Sequence, residues 1–274
     1  VRTAAASSPG SGRSTEDRPA RASLQPGPAD HLVQLYADDH HLVAVVADYV
    51  AAGLRGNEAA VLIATPPHLR LVTRALGAAG IDVPSALALH QLLYLDAAQT
   101  LERLLVDGVP DRGRFRSVLA AALGHVRGAW PRGVRLFGEM VDLLWRRSVE
   151  ATVALERLWD EALREEGLPL LCAYRMDPLE RRLQGVLRRV TDCHSHLLPM
   201  DDPVRFEQAV DRAYSEVFGG GADVELLRDL MVTSLQLTTA MAEPQAVLLA
   251  LDGMPRLVAD DVRARARRYY ARAA

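Results

Sequence analysis

The chain has 274 residues, 49% of them apolar and 24% charged, enough to bury a full core in one large domain or in one domain plus a small module. Its formal charge of -3, with both signs mixed along the chain, leaves no broad basic surface, so no direct nucleic-acid contact is expected. No apolar run reaches the roughly 18 residues of a membrane span and the first residues lack a signal-peptide core, so no membrane partner and a cytoplasmic location are expected.

Residues 1–29 are rich in Ser, Pro, Gly and Arg without apolar period, the composition of a disordered leader. From Asp30 the pattern changes. "HLVQLY" reads as a strand and "DDHHLVAVVADYVAAGLRG" as a helix; "EAAVLIAT" is a buried strand, followed by the proline-started helix "PPHLRLVTRALGAAG". "ALHQLLYL" is a third strand, and Asp96 opens the helix "DAAQTLERLLVDG". After the helical "DRGRFRSVLAAALGHVRGAW" come the strand "GVRLFGE", the helices "MVDLLWRR" and "VEATVALERLWDEALREEG", and the strand "LPLLCAY". Near-continuous apolar strands alternating with helices specify an α/β fold, a parallel sheet covered by helices on both faces. Beyond Met176 no further strand is expected: "DPLERRLQGVLRRVTDCHSHLLP" reads as mostly helical. Phe206, Val210, Tyr214 and Val217 form one stripe, and Val224, Leu227, Met231 and Leu235 another. The expected organisation is thus a leader at 1–29, an α/β domain at 30–176 and a small C-terminal helical module at 177–274.

All 32 basic residues are arginine, which removes the lysine that a phosphate-binding loop or a Schiff-base enzyme requires. The two cysteines, Cys172 and Cys193, fit no zinc or redox spacing. "CHSH", Cys193 to His196, matches no standard zinc pattern, and His194 and His196 would converge only on a strand, so no metal ligand and no cofactor is assigned. No catalytic motif is present either.

Ligands of open parallel sheets bind beyond the carboxyl ends of the strands. "RLFGEM" puts Gly138 and Glu139 at that edge. Gly138 would let the chain turn and approach a ligand closely, while Glu139 either meets a ligand or complements the dipole of its own helix. Trp145, one or two turns on, falls on a stripe that serves as core or as a pocket wall. Tyr36 ends the first strand at the same edge, able to donate to a ligand or to cap the core. Cys172 and Tyr174 share one face of the last strand, where a cysteine first reads as a small hydrophobe. His40 and His41, in a first helical turn, read as solvated.

"HLVQLYADDHHLVAVVADYVAAGLRGNEAAVLIAT", "RLFGEMVDLLW", "ALERLWDEAL" and "LLCAY", in this order, resemble the MEDS domain, the sensory domain named after methanogens, methylotrophs and the dichloromethane regulator DcmR. The resemblance implies a RecA-like fold that has lost its phosphate-binding loop and a bacterial or archaeal sensor of small hydrocarbon derivatives. It implies a non-catalytic regulatory protein, acting in signal transduction and transcription regulation through a protein partner and compatible with an oligomer. The ligand-binding residues expected are Tyr36, Gly138, Glu139, Trp145, Cys172 and Tyr174. The alternatives are a hydrolase-like enzyme with Glu139 as base and a protein-binding scaffold. The C-terminal third carries no kinase signature and no helix-turn-helix, and where relatives have a glycine-containing loop this chain reads "RRSVEAT".

Overall fold

The computed structural model describes residues 25–128, 130, 132–180 and 186–272. The expected leader lies, up to residue 24, outside the described residues. Six strands form one sheet: β1 (His31–Tyr36), β2 (Ala59–Ala64), β3 (Leu92–Asp96), β6 (Val134–Gly138), β7 (Leu170–Arg175) and β8 (His196–Leu197). Their order is β3-β2-β6-β7-β1-β8, all parallel; β4 (Leu105–Val106) and β5 (Val109–Pro110) make a separate short hairpin.

Alternation along each strand divides the core in two. Leu32, Tyr36, Leu62, Phe137 and Ala173 face α1 (Asp39–Arg55), α2 (Pro66–Ala78) and α3 (Val83–Ala88). Val33, Val61, Leu136, Cys172 and Tyr174 face the other way, toward α4 (Ala97–Leu104), α5 (Arg112–Arg127), α6 (Met140–Trp145) and α7 (Val149–Glu166). Because both faces are covered, the strands read as mostly apolar runs rather than as a strict alternation, with His31, Gln34 and Arg135 the buried polar exceptions in β1 and β6. Local chemistry sets the helix starts: the side chains of Asp96, Asp111 and Ser148 each accept the backbone N–H three residues on, at α4, α5 and α7. Helix α7 ends on Gly167 in the left-handed conformation, φ 65°. Gly53, inside α1, has a different reason: a Cβ there would lie 2.6 Å from Cδ of Arg135, whose buried side chain crosses beneath the helix to pair with Glu58.

The strands do not stop at Met176. His196–Leu197 forms β8 beside β1, with His196 also bridged to Ala240, so the expected long helix is reduced among the described residues to α8 (Val186–Thr191). Two residues are too short a run for periodicity to register; their pairing comes from the exposed side of β1, which supplies the open hydrogen-bonding groups. The helices that follow are α9 (Pro203–Phe218), α10 (Ala222–Gln236), α11 (Glu243–Ala250) and α12 (Arg256–Arg272). Phe206, Val210 and Tyr214 are buried as the stripe predicts. On α10 Leu235 is buried and Val224 and Met231 are half-buried as the stripe predicts, whereas Leu227 is 53% exposed and Val232 is buried in addition. Phe206, Val210, Val247 and Val262 belong to the same continuous core as α4 to α7. Among the described residues no helix is long and apolar enough to cross a membrane.

Candidate functional site

In this sheet the chain runs from β2 outward to β3 but from β6 in the opposite direction to β7, so connections diverge between the neighbours β2 and β6. Such a switch point opens a crevice beyond the carboxyl ends of the strands, with α2 on one face and α6 on the other. Glu139, immediately after β6, places its carboxylate across that crevice. One oxygen accepts the backbone N–H of Thr65 at the start of α2, and the other accepts Nδ1–H of His68 at 2.5 Å. Glu139 is only 2% exposed. Helix α2 starts with Pro66-Pro67, which have no N–H to offer an anion, so Thr65 and His68 supply the donors there. The glutamate thus acts on the neighbouring helix and not on its own: its side chain makes no capping bond to α6.

The charges continue across the sheet edge in alternating sign. His68 Nε2 lies 3.4 Å from Asp39, in the first turn of α1, and Asp39 pairs with Arg175 at the end of β7. The Arg175 guanidinium sits 5.4 Å over the ring of Tyr36, and the Tyr36 and His68 rings meet edge to face at 6.1 Å. The hydrogen bond to Glu139 pushes His68 above the ordinary histidine value despite its burial, and Asp39 adds to the shift. Burial pushes the Tyr36 phenol up as well, helped by Asp142 and Glu139, so it remains a donor.

Beside Tyr36 the edge opens into a cleft of about 340 Å³. The sheet side contributes Tyr36, Asp38 and His41; the C-terminal side contributes Met200, Phe206 and Tyr270, and Leu179 also lines it. Asp177 pairs with Arg267 at 2.6 Å along its rim. This volume and mixed lining suit a small organic molecule. A second groove, of about 160 Å³, lies between α5 and α7 and is bordered by the exposed pairs Arg112–Glu161 and Arg116–Glu165.

The six residues expected to line one pocket are distributed over three places. Tyr36 borders the cleft, whereas Glu139 lies behind it, bonded to His68, whose ring meets that of Tyr36 edge to face. Trp145 is half-buried and donates to Asp142 at 2.9 Å, and Asp142 in turn accepts the backbone N–H of Arg175 at 2.7 Å, so Trp145 supports the edge from outside. Gly138 has no positive φ, and a Cβ there would meet only Leu170 at 3.8 Å, so the close-approach role expected of it is not required by the backbone. Cys172 and Tyr174 lie on the opposite face against Glu156 of α7, whose carboxylate accepts the Tyr174 hydroxyl. Burial, with Glu156 adding, pushes the Cys172 thiol well up. Sequence reasoning missed His68, Asp39 and Arg175. Their signal was position: each sits within four residues of the carboxyl end of a strand, where a charged side chain is placed over the sheet edge.

The sequence profile described as MEDS, the methanogen/methylotroph, DcmR sensory domain, matches residues 30–195. The chain belongs to the MEDS family. The matched segment runs past Met176 through α8 to the residue before β8, and so takes in His194 as well as the Glu139 edge. No curated protein matches the chain. A MEDS domain is a sensory domain, and a sensory or regulatory role follows for the chain at that level.

Proposed function

We propose that this MEDS protein is a non-catalytic sensor that binds a small, hydrocarbon-derived molecule in the cleft beside Tyr36 and signals through contacts of its C-terminal helices with a protein partner. The observation that carries the reading is the cleft's double lining. Tyr36 and His41 come from the sheet edge, Phe206 and Tyr270 from α9 and α12. An occupant touches both, and any conformation in which α9 and α12 dock differently loses part of those contacts. That unequal binding is what a sensor needs to shift a population. The engagement of both Glu139 oxygens within the protein favours this reading over one in which Glu139 is a free base.

The test is a thermal-shift series on the full chain with small alcohols, ketones and chlorinated hydrocarbons. A ligand at a hundred times its Kd adds about 2.7 kcal/mol of stability, a readily measured rise in Tm. Tyr36→Phe, which removes only the hydroxyl, is expected to reduce the response to hydroxyl- or carbonyl-bearing compounds. Concentration-independent melting with all three classes would reject the sensor reading. Turnover on an ester panel that Glu139→Gln abolishes would establish the enzyme instead.

A further inference from the structure

Below the β1–β7 pair, on the face away from α1, four side chains without a part in the cleft converge: His31 from β1, Cys172 from β7, Glu156 from α7 and His194 from the segment between α8 and β8. They are 2%, 1%, 0% and 3% exposed. Their ligand atoms all lie within 4.8 Å of one another. His31 Nε2 is 3.3 Å from Glu156 Oε2 and 3.4 Å from Cys172 Sγ; Cys172 Sγ is 3.7 Å from Glu156 Oε2; His194 Nε2 is 3.5 Å from Glu156 Oε1. A tetrahedral zinc site with bonds of about 2.0–2.3 Å has ligand-to-ligand edges of roughly 3.3–3.7 Å; the three separations among His31 Nε2, Cys172 Sγ and Glu156 Oε2 fall in that range, and His194 offers the fourth ligand atom, with all four within 4.8 Å of one another.

The outward sides of the two imidazoles fix how they face inward. His31 Nδ1 is 2.8 Å from Asp160 and His194 Nδ1 is 2.7 Å from the carbonyl oxygen of Val190. A carbonyl oxygen can only accept, so His194 Nδ1 carries the hydrogen, and in the neutral ring Nε2 presents a bare lone pair. That lone pair is buried, points toward a carboxylate and has no hydrogen-bond partner. Two acceptors facing one another in an apolar interior are unfavourable unless a cation lies between them. The arrangement of a carboxylate or a backbone carbonyl behind each histidine is also the one that orients metal-ligating imidazoles.

We propose that His31 Nε2, His194 Nε2, Cys172 Sγ and Glu156 Oε2 bind one divalent ion of the zinc class. Binding displaces the thiol proton of Cys172 and any proton on His31 Nε2 to solvent, leaving a thiolate, a carboxylate and two neutral imidazoles around the dication, a set of zero net charge that suits a dry interior. Tyr174 holds the remaining Glu156 oxygen by donating its hydroxyl to it. With four protein ligands and no open position the site is of the structural kind. It ties the chain that runs on to Met200 and α9 down onto β1, β7 and α7, adding to the β8 pairing, the Gln34–Pro199 and Ser195–His31 hydrogen bonds and the Arg189–Glu150 ion pair. The ligand set spans sequence positions 31 to 194, which is why no local spacing in "CHSH" announces it.

The experiment uses the full chain expressed with added zinc and purified without chelator. Elemental analysis is expected to find roughly one ion per chain, and a strong chelator to lower the Tm. Exchange for cobalt is expected to give the intense visible bands of a tetrahedral ion together with a thiolate charge-transfer band that Cys172→Ser removes. Asp160→Asn, which leaves all four ligands in place, is expected to weaken affinity about 10- to 100-fold. Cys172→Ser should melt close to the wild type when chelator is present, which separates lost metal from lost fold, while Asp160→Asn, which also loses its own contact with His31, is read by metal affinity. A stoichiometry below about a tenth of an ion after reconstitution with either metal, or equal affinity in wild type and Cys172→Ser, would overturn the proposal and leave a core network held by protons alone.

Discussion

Glu139→Gln isolates the charge that closes the switch-point crevice. The glutamine keeps an oxygen for the Thr65 N–H but turns an NH₂ group toward His68 Nδ1–H, a donor facing a donor. A hydrogen bond to a charged group contributes about 1.5–3 kcal/mol, and the Thr65 bond also loses its charge assistance, so a cost of about 2–4 kcal/mol is expected. At roughly 2–4 °C per kcal/mol for a chain of this size, the Tm should fall by about 4–16 °C. This exceeds the roughly 0.3–1 kcal/mol of a first-turn dipole interaction, and it departs from the nearly unchanged Tm expected of a carboxylate that serves only a ligand. The cost also depends on pH. Because folding raises the His68 pKa, its charge contributes fully below the unfolded value of about 6.5, and the contribution is lost as pH rises through the folded value. Urea titrations of both proteins at pH 6 and pH 9 should therefore show a larger gap at pH 6. A gap under about 1 kcal/mol, or one that does not change between the two pH values, would refute the assignment of Glu139 to His68.

Two further outcomes follow from buried and missing charges. Arg263 is 1% exposed and pairs with Asp252 at 2.6 Å, so Arg263→Met should destabilise by about 3–5 kcal/mol, and Arg263→Met with Asp252→Leu should recover most of the loss in chemical denaturation. Calorimetry should find MgATP binding no tighter than about millimolar, since the chain has no lysine and α2 begins with two prolines where phosphate-binding N–H groups would be needed; a micromolar Kd would contradict this.

Local chemistry was legible in the sequence, and distance was not. The apolar runs gave β1, β2, β6 and β7, and Asp96 marked the start of α4, because each of these depends on neighbours within a few residues. Tyr36 and Glu139 were placed at the ligand edge from the strand direction alone. Cys172 and Tyr174 were correctly put on one face of β7, but alternation cannot tell which face of the sheet that is, so they were assigned to the cleft although they look onto Glu156 and His194. The β8 pairing and the turn of α10 depend on contacts with distant segments. On α10 the stripe was read as Val224, Leu227, Met231 and Leu235; Leu235 is buried and Val224 and Met231 are half-buried, but the helix turns Val232 inward and leaves Leu227 more than half exposed.

The two-residue strand β8 also determines how the chain can be divided. In the intact sheet β1 is an inner strand, bonded to β7 on one side and to His196 and Leu197 on the other. Cutting at Met176, where the apolar strands of the α/β segment end, would unpair the outer backbone groups of His31, Leu32 and Val33 and leave the largely apolar run His31–Tyr36, interrupted by Gln34, at the edge of the sheet. An edge of that kind recruits strands from other chains. A fragment meant for work on the sensory part alone therefore has to extend at least through Leu198, whose N–H also bonds to Val33, and fragments that end earlier are expected to self-associate through β1.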